Sequence, residues 1–217
     1  EKISRDIEKR IEKYLASDLS PVGTSNIGKA YRFDESGPRY IEFCKSTVPS
    51  DISFSSLRIV LDCANGACYK VSPEVFEELG AEVITIGNEP DGYNINQDCG
   101  STHPEVIKEA VIKHRADYGI SLDGDGDRVI LVDEKGNLLD GDDLLYILAF
   151  SNPNRTGEWS GVVGTQMSNL GLEQGIQKLG YKFVRADVGD KFVSEMLTKK
   201  GWMLGGETSG HIICKDL

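Results

Sequence analysis

The spacing of apolar residues changes repeatedly along the chain, and each change predicts an element. Over residues 1–16, Ile3, Ile7, Ile11, Tyr14 and Leu15 recur every three or four positions, with Lys, Arg and Glu between them. That is one stripe of an amphipathic helix, expected to pack on one face and meet water on the other. Residues 17–38 lose the period. Ser20-Pro21, Gly23-Thr24, Asn26 and Gly37-Pro38 punctuate them, which predicts a loop-rich connection between domains. A short helix is expected over 38–48.

From residue 58 onward, short β-branched runs alternate with helical stripes. A buried strand is predicted at 58–62, followed by a tight loop, Ala64-Asn65-Gly66-Ala67. Ser72-Pro73 should open a helix that runs to Leu79 and stops at Gly80. A strand at 82–86, a long polar loop at 88–101 and a helix at 104–114 come next. Strands at 118–122 and 129–133 then bracket an acidic loop, and Lys135-Gly136-Asn137 reads as a turn. The theme recurs as a helix at 142–150 and a strand at 161–165 that leads through Gln166-Met167-Ser168-Asn169 into a helix to Leu179. A strand at 182–186, a helix at 190–200, a strand at 202–204, a Gly-rich loop at 205–211 and an apolar run at 212–214 complete it. Glu78-Leu79-Gly80-Ala81-Glu82-Val83 matches Lys178-Leu179-Gly180-Tyr181-Lys182-Phe183. The expected fold class is therefore α/β: two successive related α/β/α-layered domains with mixed sheets. The expected boundaries are 1–37 as the tail of a preceding domain plus linker, 38–137 as one domain and 138–217 as the next. The acidic loop and the Gly-rich loop fall at equivalent places in the two copies. Strand-end loops are where α/β sheets bind ligands, so the two are expected to face one cleft.

Composition narrows the classes. The 217 residues carry 35 acidic against 24 basic side chains, a net charge of −11, which argues against nucleic acid as a partner. No apolar run is long enough to span a membrane, and no secretory signal is visible. Five cysteines, an odd number without zinc-finger spacing, give no disulfide framework, and the cytoplasm is the expected compartment. The chain opens inside a helical pattern without Met and closes on Asp216-Leu217 after a β-type run. That leads to the expectation of a piece cut from a longer protein.

The acidic loop is Ser121-Leu122-Asp123-Gly124-Asp125-Gly126-Asp127-Arg128. Three carboxylates at alternate positions repel one another unless a cation lies among them, and oxygen-only ligands suit a hard ion such as Mg²⁺ or Ca²⁺. The glycines permit the tight backbone needed to aim three side chains at one point. Arg128 adds a planar fork suited to phosphate, so metal plus arginine at a strand end reads as phosphoryl-transfer chemistry. A plain turn needs two such residues, not three carboxylates in register. An EF-hand loop would use Asp123, Asp125, Asp127 and Glu134, but Arg128 stands where its glycine belongs and no helix follows. A phosphatase with an aspartyl nucleophile would want Thr at position 127.

In the second loop, Gly205-Gly206-Glu207-Thr208-Ser209-Gly210-His211, the residues Glu207, Ser209 and His211 alternate. In an extended backbone they would share one side. A carboxylate, a hydroxyl and an imidazole are groups suited to holding sugar hydroxyls, although Glu207 and Ser209 could equally satisfy turn backbone and His211 pack at a strand start. His103 and His114 read as a cap-region and a helix-end residue.

The two loops together, at this separation, resemble those of the α-D-phosphohexomutase superfamily. Tyr40-Ile41-Glu42-Phe43-Cys44-Lys45, Asp62-Cys63-Ala64-Asn65-Gly66-Ala67, Gly92 through Asn96, and Val188-Gly189-Asp190-Lys191 are similar to its bacterial phosphoglucosamine mutase branch. The resemblance implies a four-domain enzyme of which this stretch is the end of domain 1 and domains 2 and 3. It implies Mg²⁺ on Asp123, Asp125 and Asp127, with Arg128 steadying the phosphate of an active-site phosphoserine. Glu207, Ser209 and His211 would bind the sugar, with His211 also assisting proton transfer. The implied reaction interconverts glucosamine 6-phosphate and glucosamine 1-phosphate through a bisphosphorylated sugar, a step towards the cell wall. Phosphorylated hexosamine is the expected partner, and a homodimer is left open. Neither the phosphoserine loop nor a loop for the non-reacting phosphate has a counterpart here, so this stretch alone is expected to be inactive. Thr208 stands where a longer amide is expected, which keeps glucose and mannose phosphates open as alternative substrates.

Overall fold

The structure, a computed structural model, describes residues 3–17, 23–152 and 156–215. It divides into two compact units, Glu1–Glu35 and Ser36–Leu217. The first contains helix α1 (Arg5–Leu15) and a 3-10 turn (Thr24–Asn26). The expected stripe is present, but Ile7, Ile11, Tyr14 and Leu15 are all exposed. Ser20-Pro21 and Asp216-Leu217 lie outside the described residues.

The second unit starts with α2 (Ser36–Ser46). Gly37-Pro38, expected as loop punctuation, instead sits in its first turn, where a missing amide hydrogen breaks no helical bond. Then come β1 (Arg58–Asp62), α3 (Val71–Glu78), β2 (Glu82–Ile86), α4 (Pro104–His114), β3 (Tyr118–Leu122), β4 (Val129–Asp133) and β5 (Leu138–Leu139). The second half contains α5 (Gly141–Ser151), β6 (Gly161–Thr165), α6 (Leu170–Lys178), β7 (Lys182–Ala186), α7 (Asp190–Lys200), β8 (Leu204–Gly206) and β9 (Ile212–Cys214). One sheet runs β2-β1-β3-β4-β5 and the other β7-β6-β8-β9. In each, the first strand in sequence, β1 or β6, pairs in parallel with both neighbours and the last strands turn antiparallel. Both sheets are therefore mixed, and the order helix–strand–helix–strand–helix–strand–strand is traversed twice.

Burial explains why these runs became strands. Val60 and Leu61 of β1 and Val162 and Val163 of β6 are fully buried, as expected of parallel strands covered on both faces. Val60 and Val132 meet Ile107 and Val111 of α4. In the second sheet, Leu145, Leu172 and Ile176 of α5 and α6 cover one face, and Val193 and Leu197 of α7 cover the other. Each such side chain contributes about 1.5–3 kcal/mol on burial.

Two helix and strand ends differ from expectation. Ser72 does not cap α3; its amide donates to the Cys68 carbonyl at 3.0 Å and Val71 is already helical. The last parallel strand covers 204–206, not 202–204. Trp202 packs its ring against Gly161, and Gly205 enters the sheet because a Cβ there would sit 2.9 Å from the Val163 carbonyl oxygen. Among the described residues, no helix is long and apolar enough to cross a membrane.

Candidate functional site

The antiparallel register of β3 and β4 pairs Leu122 with Val129, so residues 123–128 must close a tight loop. The Asp123 amide donates to the Arg128 carbonyl (3.3 Å), and the Arg128 amide donates to Asp123 Oδ1 (3.1 Å). This crossing turns the carboxylates of Asp123, Asp125 and Asp127 inward until an oxygen of each lies within 4.8 Å of the others. Arg128 Nε stands 3.9 Å from Asp123 and 3.7 Å from Asp127. Burial raises the Asp123 pKa, and the charges of Asp127 and Asp125 add to the rise, against the pull of the Arg128 amide. A carboxylate pushed towards protonation by burial and by like charges gains most from a cation, and an all-oxygen donor set fits a hard divalent ion.

The loop rests on a second one. The Ala67 amide donates to the Gly124 carbonyl at 2.8 Å, and a Cβ on Gly66 would overlap that carbonyl. Gly126 has φ +73° and lies against the Cys68 thiol. The supporting loop is strained, with Ala64 at φ 54° and Asn65 at φ 47°. Asp62 holds it. Its buried carboxylate accepts from the amides of Ala64 (2.9 Å) and Gly100 (2.7 Å) and from Ser121 Oγ (3.4 Å). The sequence alone assigns Asp62 no role in the site; a carboxylate closing an otherwise apolar buried run is the available signal.

Between β8 and β9, Gly206 pairs with Ile212, and the Gly210 amide donates to the Glu207 carbonyl (3.0 Å). Residues 207–210 are thus a tight turn with Gly210 at φ +91°, not the extended run expected from alternation. The hairpin register leaves too few residues for an extended span. Glu207 and Ser209 nevertheless line the same cleft of about 360 Å³, with Arg128, Thr165, Met167 and Thr208. Glu207 Oε1 is fixed by the Gly189 amide at 2.8 Å. His211 sits to the side of this group: Nδ1 is 3.2 Å from Asp127 and Nε2 is 3.8 Å from Asp190.

The two loops are joined directly. The Val129 amide donates to the Gly210 carbonyl (3.1 Å), and the Gly141 amide donates to the Thr208 carbonyl (3.0 Å). Cβ atoms on Gly210 and Gly141 would overlap the backbone of Val129 and Glu207. The structure therefore brings all seven sequence-selected side chains and positions into one region: the acid triad and Arg128 from one half, Glu207, Ser209 and His211 from the other. His103 and His114 lie elsewhere, His103 beside the Cys99 carbonyl (3.1 Å) and His114 with its carbonyl receiving Arg58 (3.3 Å).

Comparison with known proteins agrees with this architecture. Residues 38–136 match the family description "Phosphoglucomutase/phosphomannomutase, alpha/beta/alpha domain II", and residues 140–217 match its domain III. The chain is 56% identical over 215 residues to a phosphoglucosamine mutase of Legionella pneumophila (strain Lens), covering 99% of this chain and 47% of the relative. It is 52% identical over 215 residues to that of Alcanivorax borkumensis, covering 99% and 48%. It thus spans about half the length of the curated relatives it matches. Among solved structures, a phosphoglucomutase/phosphomannomutase family protein of Burkholderia thailandensis superposes with TM-score 0.76 at 25% identity, over 97% of this chain and 44% of that one. The fold is also that of an Aspergillus fumigatus N-acetylphosphoglucosamine mutase solved with GlcNAc-6P and magnesium, at TM-score 0.59, 24% identity, and 80% and 39% coverage. With both of its α/β/α domains matched, this chain belongs to the phosphoglucomutase/phosphomannomutase family and is homologous to the phosphoglucosamine mutases.

Proposed function

We propose that this chain is the central part of a phosphoglucosamine mutase that interconverts glucosamine 6-phosphate and glucosamine 1-phosphate through a phosphoserine and a bisphosphorylated sugar. The observation that carries the reading is the meeting of the two loops: Arg128 lines the cleft that Glu207 and Ser209 also line, and His211 contacts Asp127 across the join. Asp123, Asp125 and Asp127 hold Mg²⁺ in this reading, and the bound ion supplies positive charge beside the phosphoryl group in transfer. Arg128 adds its guanidinium fork to the same phosphate. Glu207, pinned by Gly189, and Ser209 hold the sugar hydroxyls, and His211 assists proton transfer from beside the acid triad. Five free cysteines fit the reducing cytoplasm.

In this reading the phosphoserine and the site for the non-reacting phosphate belong to the half of the relatives' length that this chain does not span. The full-length protein should therefore convert glucosamine 6-phosphate in a Mg²⁺-dependent coupled assay, and the 217 residues alone should not. Turnover by the isolated chain, or a full-length protein indifferent to chelation, would contradict the reading. Thr208 lines the cleft and favours a second substrate reading, glucose or mannose phosphate. Comparing kcat/KM of the full-length protein on the three hexose phosphates decides between them.

A further inference from the structure

The corner between β7 and α7, which neither loop contains, touches the Gly-rich loop at two residues. Its Gly189 amide donates to Glu207 Oε1 at 2.8 Å. The next residue, Asp190, is the first of α7 and places Oδ2 3.8 Å from His211 Nε2. The other nitrogen of the same ring meets Asp127 at 3.2 Å. His211 thus lies between two carboxylates, one on the acid loop and one on a helix start, and its side chain is only 18% exposed. The corner itself has a fixed shape. Gly189 has φ +124°, a conformation that suits glycine, and its carbonyl accepts from the Phe192 amide at 2.9 Å to begin the helix.

We propose that Asp190 is a positioning residue, which holds the His211 ring from the side opposite Asp127 so that Nδ1 stays aimed at the acid triad. Where a histidine binds a metal directly, a carboxylate on its far nitrogen commonly orients the ring, and loss of that partner costs about 10–100-fold in metal affinity or activity; here the ring reaches the acid triad one step removed, through Asp127. Here the arrangement also fixes the spacing of the site, because residues 189 and 190 anchor Glu207 and His211 from one rigid helix end. The kinetic part of the inference rests on the mutase reading; the structural part does not.

Two measurements separate them. In the full-length protein, Asp190→Ala should lower kcat about 10–100-fold and raise the Mg²⁺ concentration needed for half-maximal activity severalfold, while KM for the sugar phosphate stays within about twofold. Asp190→Asn, which retains an acceptor facing Nε2, should recover part of both. A merely structural role would instead lower the melting temperature and leave the Mg²⁺ requirement unchanged. In the 217-residue chain, ¹⁵N-histidine NMR has three rings to resolve, and His211→Gln assigns the relevant one. Asp190→Ala should shift the His211 ring nitrogens and leave those of His103 and His114 in place. If the ring signal moves but the wild-type full-length protein shows no mutase turnover, the positioning stands and the mutase reading fails. If both the ring signal and the Mg²⁺ requirement are unchanged in Asp190→Ala, the proposal is overturned.

Discussion

Asp62 gathers three hydrogen bonds on a carboxylate that solvent does not reach. Asp62→Ala leaves the Ala64 and Gly100 amides without their acceptor, at about 1–3 kcal/mol each, so the urea midpoint should fall clearly. Burial raises the Asp62 pKa despite these bonds. A proton is therefore bound more tightly in the folded chain than in the unfolded one. The stability linked to it is complete below the ordinary carboxylate pKa and is lost as pH rises through the higher folded value. The stability difference between wild type and non-titrating Asp62→Asn should accordingly shrink from acidic towards neutral pH; a flat difference would refute the assignment. The neighbouring Cys63 thiol is pushed up to about 12, chiefly by burial and also by the Asp62 charge. Alkylation of native protein at mildly alkaline pH should spare Cys63, whereas urea-unfolded protein should be labelled there, as peptide mapping would report. Arg128→Ala in the full-length protein should lower kcat by roughly 10²–10³-fold, as loss of one electrostatic stabiliser does, and Arg128→Lys should restore little because a point charge lacks the fork.

Individual elements show which parts of the fold were legible in sequence. The strands Arg58–Asp62, Glu82–Ile86, Tyr118–Leu122, Val129–Asp133, Gly161–Thr165 and Lys182–Ala186 follow from β-branched runs bounded by Gly and polar residues, because local pattern and tertiary burial agree there. Leu138–Leu139 has too few residues to show a period and exists only by pairing with β4. Gly205-Gly206 reads as loop by propensity yet forms strand, since only residues without side chains fit between Val163 and the His211 carbonyl. The acid triad was legible because its chemistry lies in one short loop. Asp190 and Asp62 were not, because their partners stand far away in sequence. At Gly126 the two levels meet, as φ +73° and the Cys68 contact both demand glycine. Gly126→Ala should lose about 1–2 kcal/mol from backbone strain plus the steric overlap. Adding Cys68→Ala should recover only the overlap, a partial rescue visible in denaturation midpoints.

At the scale of the whole second unit, the two sheets are joined by a main-chain bond from Val129 to Gly210, and the bond from Gly141 to Thr208 ties the start of α5 to the same turn. Both tryptophans, Trp159 and Trp202, lie in the second half, so their fluorescence follows that half while far-ultraviolet circular dichroism follows both. The wild-type transitions should coincide, which is the test of a single cooperative unit. Gly210→Ala, whose new methyl would strike Val129, should pull the two curves apart.

The Val129–Gly210 bond also limits how the site can breathe. It lies one residue beyond Arg128 and one short of His211, so those two side chains sit close to a pinned seam, while Glu207 and Thr208 are held by bonds of their own to Gly189 and Gly141. The turn that carries Glu207 and Ser209 is therefore clamped at three places, and any shift of one sheet against the other would carry both loops with it.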